Sequence, residues 1–197
     1  METLTQTLLV LDLDETLVHS SPSRLEREPD HEVLGYHVYE RPGVRAFLDD
    51  AFAHFEVGIW TASTAAYAAA VLSRFTDVSR FRFIWSREHC SIATHPTTRR
   101  FDLLKDIRQL ELLGYDPARI LFVDDLPHRL CLSVDNIIQV RPFTGAMDDD
   151  ELGELRTYVS WLHPVRDVRV VDKRDWRHEV GALRIASDLR SEQGTVS

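Results

Sequence analysis

Asp12-Leu13-Asp14 closes an apolar, β-rich stretch (TLLVLDL, residues 7–13), and Val123-Asp124-Asp125 repeats the arrangement after a second such stretch (RILFV, 119–123). Side chains alternate along a strand, so Asp12 and Asp14 point to one side and Leu13 to the other. Carboxylates this close raise each other's proton affinity unless a cation sits between them. A hard, oxygen-seeking ion such as Mg²⁺ is the natural neutraliser. A lone D-x-D could equally be two turn aspartates capping the next segment. The second acidic run tips the balance, because ligands gather at the carboxyl ends of strands in an open α/β sheet. Four converging acids without an adjacent basic residue have a weak structural explanation, since burying unpaired charge is costly. Mg²⁺ held by few protein carboxylates keeps positions for phosphate oxygens, which points to phosphoryl chemistry.

Two further groups fit that chemistry. Trp60-Thr61-Ala62-Ser63 lies between a β-rich run and an alanine-rich helical one. Its hydroxyls and backbone N–H groups therefore fall at a helix N-terminus, where anions bind. Ser63 or Thr64 can serve at the same time as the N-cap. Lys105 is the only lysine between Met1 and Arg119. A helix lysine usually keeps its head in solvent, but one cation facing a phosphate would offset charge on an attacking carboxylate and the transferred group.

These residues need a scaffold that brings strand ends together. The segment 42–54 opens with Pro42 in the first turn and sets Val44, Phe47, Leu48, Ala51 and Phe55 at helical spacing. Residues 55–60 read as a buried strand, 64–75 as a helix, and 81–85 as a short strand. Helical periodicity returns over 101–113, closed by Gly114, and then come strands at 119–123 and 136–140. Three aspartates open a last helix at 148–162. The alternation predicts an α/β domain with a mainly parallel sheet and helices on both faces. Two connections are long, 20–39 with a possible hairpin and 86–100 containing Pro96, Thr97 and Thr98; segments of this length can be lids or surface decoration. From about His178 the periodicity fades, predicting a domain over 1–177 and a loosely docked tail over 178–197.

Composition narrows the setting. The 197 residues are 44% apolar and 28% charged, ordinary globular usage, with 23 basic against 32 acidic residues and a formal charge of −9. Such a balance argues against broad nucleic-acid binding, the adjacent Arg99 and Arg100 notwithstanding. Cys90 and Cys131 show no metal-type spacing. The first apolar run is too short and acidic for a signal peptide or membrane span. The chain is expected to be soluble and intracellular, cytoplasmic or, in a eukaryote, nuclear.

Asp12-Leu13-Asp14-Glu15-Thr16 resembles the first motif of the haloacid dehalogenase superfamily. Its D-x-D-x-T form is similar to that of the NLI-interacting-factor-like phosphatases, the group acting on the C-terminal domain of RNA polymerase II. Tyr39 to Gly43 resembles that group's approach to its first helix. Trp60 to Ser63 resembles its second motif, Lys105-Asp106 its third, Val123 to Asp125 its fourth, and residues 143–152 the segment before its last helix. The resemblance runs from about Leu8 to Leu162 and implies a Rossmann-like three-layer sandwich with small insertions and no large cap. It implies Asp12 as the nucleophile that forms an aspartyl-phosphate, and Asp14 as general acid and then base. It implies Mg²⁺ bound by Asp12, Asp125 and the backbone carbonyl of Asp14. Thr61, Ala62, Ser63 and Lys105 would hold the phosphate, Thr61 and Lys105 counting among the catalytic groups, with Asp124 and Thr16 in support. Asp125 stands where the polymerase-directed relatives often carry asparagine, and Leu112 to Tyr115 read as an extra turn. The substrate implied is phosphoserine or phosphothreonine in protein; a small phosphate ester or a nucleic-acid end is an alternative, and a non-catalytic phosphate-binding module a third. His19, His89, His95 and His128 could also lie near such a site.

Overall fold

The computed structural model describes residues 6–94, 101–130 and 133–193. From the N-terminus, β1 (Leu8–Leu11) leads through the acidic turn to β2 (Val18–Ser21), β3 (His31–Val33) and β4 (Tyr36–Glu40). Next come α1 (Val44–His54), β5 (Glu56–Trp60), α2 (Ala65–Leu72), β6 (Phe83–Trp85), β7 (Ser91–Thr94) and β8 (Phe101–Leu104). The chain continues with α3 (Arg108–Leu112), β9 (Ile120–Asp124), β10 (Ile137–Gln139), α4 (Glu151–Leu162) and α5 (Trp176–Gln193). Strands β10-β9-β1-β5-β6, in that order, form a five-stranded sheet in which every pair is parallel.

Alternation along the strands gives the sheet two apolar faces. Leu9 and Leu11 join Val57, Ile59, Leu121 and Val123 against α1, α2, α4 and α5. Leu8 and Val10 join Trp60 and Phe122 on the other face, with Ile107 and Leu110 at α3. Each fully buried side chain of this kind contributes about 1.5–3 kcal/mol, so the sheet is a stiff platform for whatever its strand ends carry. Gly58 is required by close approach of β5 to β6: a Cβ there would stand 2.4 Å from the Phe83 ring.

The long 20–39 connection builds more than a hairpin. With the end of the first turn it makes a three-stranded antiparallel sheet, β2-β4-β3, at the rim of the main one. Residues 101–104, expected to be helical, are instead β8, paired antiparallel with β7 from Ser91↔Leu104 to Thr94↔Phe101. Cross-strand pairing overrides the local period there, and the helix starts only after Asp106, whose carboxylate accepts the Arg108 amide at 3.1 Å. α1 begins two residues after Pro42, because Gly43 turns the chain at φ 81°. α4 begins at Glu151 rather than Asp148, since Asp149 is used elsewhere, in a bidentate pair with the buried Arg41 at 2.7 and 2.8 Å.

The expected tail boundary at His178 falls inside α5. That helix docks through its first turns: Trp176 and Val180 are fully buried, and Trp176 Nε1 donates to the Gln139 carbonyl at 2.8 Å. Arg177 pairs with the buried Glu151. Among the residues whose burial is described, Trp176 and Val180 are the apolar positions of this helix that are fully buried, too few to leave a periodic trace. Cys90 is a free thiol; His95 to Arg100, and Cys131, lie outside the described residues. No described helix is long and apolar enough to cross a membrane.

Candidate active site

Register decides which side chains meet. Leu11 of β1 is level with Ile59 of β5 and Val123 of β9, so the residues that follow emerge together at one edge of the sheet. The Asp12 amide donates to the Val123 carbonyl at 2.9 Å, fixing the first acidic run against the second. Asp12, Asp124 and Asp125 are all buried, and each offers a carboxylate oxygen within 4.8 Å of the others.

Lys105 is 2% exposed and sits in the link between β8 and α3, not on a helix. Its Nζ donates to Asp12 Oδ1 at 2.6 Å and to Asp124 Oδ2 at 2.5 Å. Its amide donates to the Arg129 carbonyl at 2.9 Å. The acids therefore do have a basic partner, supplied from far along the chain. Burial works to lower the Lys105 ammonium, but Asp12 and Asp124 outweigh it and hold it up at about 12. Burial pushes the Asp12 carboxyl up to about 7 against the pull of Lys105, with Asp124 and Asp14 adding to the rise. Burial and then Asp124 raise Asp125 to about 6.

Asp14 is oriented from the other side. Ser63 Oγ donates to its Oδ2 at 2.6 Å and the Tyr67 hydroxyl to its Oδ1 at 2.6 Å; Ser20 Oγ lies 2.5 Å from that hydroxyl. Burial, then Asp14, pushes the Tyr67 hydroxyl far above its usual value, so it stays a donor to the carboxylate. Thr64 is the N-cap of α2, accepting the Tyr67 amide at 3.3 Å, which leaves Ser63 for Asp14. Thr61 Oγ1 accepts the Ser63 amide at 3.0 Å, keeping its own proton to donate. Directly after Asp14 the chain reverses at Glu15, a non-glycine residue at φ 61°; such a conformation costs on the order of 1–3 kcal/mol. It is held by bonds from the Glu15 amide to Val18 and from the Phe143 amide to Glu15, both 2.7 Å.

A cavity of about 450 Å³ opens over these groups, lined by Asp12, Asp14, Thr61, Ala62, Ser63 and Asp125 among others. Lys105 and Asp124 lie beneath it. Thr16 is fully buried and is not among the residues lining the cavity; its carbonyl accepts from Arg41 at 3.1 Å, bracing the turn that carries Asp14. Tyr67, Arg87 and Arg129, which the motifs do not include, also line the cavity. His19 is bound to the Glu15 carboxylate at 2.8 Å, His128 to Asp102 at 2.9 Å, and His89 stacks on Trp85.

The donor set suits a hard divalent cation. It is made only of carboxylate oxygens, and among the described residues no Lys, Arg or His lies within ion-pair distance of Asp125. Of the three ligands implied by resemblance, Asp12 and Asp125 belong to the carboxylate cluster; its third member is Asp124, while the Asp14 carboxylate is turned toward Ser63 and Tyr67.

The raised carboxyls give a test. Asp12 and Asp125 bind protons more tightly folded than at their ordinary value of 3.8, so their contribution to stability is fully present below about pH 3.8 and lost as pH rises through about 6 and 7. Without a divalent ion, thermal melting followed across that window should show Asp125→Asn gaining on wild type as pH rises, on the order of 3 kcal/mol by pH 8. Mg²⁺ should raise the wild-type melting temperature at pH 8 by roughly 5–10 °C, much less at pH 5, and by less in the variant, whose amide keeps a ligand oxygen but not the charge. A Mg²⁺ response independent of pH would contradict this assignment.

Comparison with known proteins places these features. Residues 7–169 match the model of the NLI interacting factor-like phosphatases. The human carboxy-terminal domain RNA polymerase II polypeptide A small phosphatase 1 is 34% identical over 167 residues, 81% of this chain and 60% of that protein. A "Probable C-terminal domain small phosphatase" of Dictyostelium discoideum is 35% identical over 172 residues, 83% of this chain and 53% of that protein. The chain thus spans little more than half the length of these relatives. Among solved structures, that of Fcp1, an essential RNA polymerase II CTD phosphatase, is similar with a TM-score of 0.54 at 17% identity. That likeness covers 98% of this chain and 67% of the other, and speaks for the fold alone.

Proposed function

The chain belongs to the family of NLI interacting factor-like phosphatases, with a haloacid dehalogenase-type fold, and from that premise we propose that it is a Mg²⁺-dependent phosphomonoesterase acting on phosphoserine or phosphothreonine in protein. The observation that carries the reading is the buried Asp12, bonded through one carboxylate oxygen to Lys105 and lining the cavity beside Asp14. Asp12 attacks phosphorus, the bond to the leaving oxygen breaks, and an aspartyl-phosphate forms on Asp12. Asp14 gives its proton to the leaving alkoxide, then takes one from the water that hydrolyses the acyl phosphate. Ser63 and Tyr67 hold the Asp14 carboxyl in place for both transfers. Thr61, the backbone of Ala62 and Ser63, and Lys105 face the charge that develops on the transferred group. Mg²⁺, when bound by Asp12, Asp125 and the Asp14 carbonyl, neutralises the acids and polarises the phosphoryl oxygens.

A protein substrate is favoured because the cavity is an open cleft beside the small β2-β4-β3 sheet, whose Ser20 and Tyr36 line it. The test is a panel of phosphopeptides, phosphosugars, nucleotides and 3′-phosphorylated oligonucleotides, assayed with Mg²⁺. Phosphopeptides should lead in kcat/KM; sugars or nucleotides leading would defeat the substrate reading. Asp14→Asn belongs in the same panel. It should cost roughly 10²-fold on a phosphoserine peptide, where the alkoxide needs a proton. On p-nitrophenyl phosphate, whose leaving group departs unaided, the loss should be about tenfold or less.

A further inference from the structure

Resting on the phosphoprotein reading, we propose that Arg87 and Arg129 form a second anion-reading subsite, which selects peptides carrying an acidic or phosphorylated side chain close to the phosphoresidue being hydrolysed. Both arginines line the catalytic cavity, and the mechanism uses neither. Both are anchored to it by main chain. The Arg87 amide donates to the Ser63 carbonyl at 2.9 Å, and the Arg129 carbonyl accepts the Lys105 amide at 2.9 Å. Each follows the carboxyl end of a parallel strand, β6 for Arg87 and β9 for Arg129, so they approach the cleft from separate loops.

Their charge is poorly spent within the protein. Among the described residues no carboxylate lies within ion-pair distance of Arg87. Arg129 has 26% of its side chain exposed, and among the described residues the one carboxylate within ion-pair distance is Asp102, whose Oδ1 stands 3.5 Å from the buried Nε without making a hydrogen bond to it. Asp102 is already engaged with His128 at 2.9 Å. A buried donor left unmade is costly, and a guanidinium is shaped to meet a carboxylate or phosphate with two parallel bonds. In a chain of net charge −9, two under-used cations facing one cleft are positioned to read a negative group on the ligand. The phosphate undergoing transfer is met by Thr61 and Lys105, which leaves these arginines for a neighbour along the peptide.

The experiment uses the full chain with Mg²⁺ and two synthetic peptides that differ only in a residue two positions from a phosphoserine, alanine in one and a second phosphoserine or glutamate in the other. Wild type should favour the doubly anionic peptide by about tenfold or more in kcat/KM, and the ratio should shrink as salt is raised. Arg129→Gln and Arg87→Gln should each reduce that ratio several-fold, read within each variant so that any general loss cancels. Asp102→Asn, which removes the carboxylate charge 3.5 Å from Arg129, should raise it. A wild-type ratio near one, or arginine variants that slow both peptides equally, would overturn the subsite and leave the phosphoprotein reading standing. Refusal of both peptides by protein that still hydrolyses p-nitrophenyl phosphate would remove the two together.

Discussion

Asp12→Asn is expected to lower hydrolysis of p-nitrophenyl phosphate by roughly 10⁴-fold or more, without loss of fold. The two halves of that expectation have one cause. Asp12 is a buried acid crowded by Asp124 and Asp14, and burial pushes its carboxyl up to about 7. Removing its charge relieves the cluster, while the amide oxygen of asparagine can still accept from Lys105 at the position now 2.6 Å away. The variant should therefore melt at or above the wild-type temperature at neutral pH, so lost turnover cannot be assigned to unfolding. An amide is a poor nucleophile toward phosphorus, and the neighbouring carboxylates have other tasks: Asp124 is held by Lys105 and by the Leu126 amide, Asp14 by Ser63 and Tyr67, and Asp125 is assigned to the metal in the proposed mechanism. The decisive readout is covalent labelling. Wild type quenched in acid during turnover should carry an acyl phosphate labile to hydroxylamine, and Asp12→Asn should carry none. Turnover within tenfold of wild type would remove Asp12 from its role.

The sheet and the acids could be read in advance because both leave a local signature. A strand buried on two faces is a run of apolar β-formers, and an acid placed straight after one has few structural uses. The sequence reading brought Asp12, Asp14 and Asp125 to one cleft for this reason, and Thr61 and Ser63 from their place at a helix N-terminus. It brought Lys105 toward these acids, which its ammonium meets, but put it on the wrong element, since the helical period over 101–113 is real and only pairing of β8 with β7 overrides it. Thr16 was read with the site because it belongs to the motif, whereas its carbonyl, not its hydroxyl, has the contact. Tyr67, Arg87 and Arg129 were missed because they belong to no acidic or phosphate motif. A signal existed for the arginines: each stands within a few residues of the carboxyl end of a β-rich run, where ligands gather in such sheets. Docking of the first turns of α5 left no such trace, since it rests on the isolated apolar positions Trp176 and Val180.

Lys105→Met should act on stability and catalysis together, and a second substitution separates the two. The ammonium bridges Asp12 and Asp124 out of contact with solvent, and both acids hold it up at about 12, so it is charged at every pH at which the protein is assayed. Deleting it leaves two buried carboxylates facing each other without a cation, a change of the kind that costs about 3–5 kcal/mol and lowers the melting temperature by roughly 10 °C. Turnover should fall about 10³-fold, since the transferred phosphoryl group loses a fixed positive neighbour. Adding Asp124→Asn removes one of the stranded charges and should recover most of the lost stability, because the remaining amide can donate to Asp12. It cannot return the positive charge, so kcat should stay low. Recovery of activity along with stability would mean that Lys105 serves only to hold the acids apart. Recovery of stability alone would make it a group that acts on the phosphate.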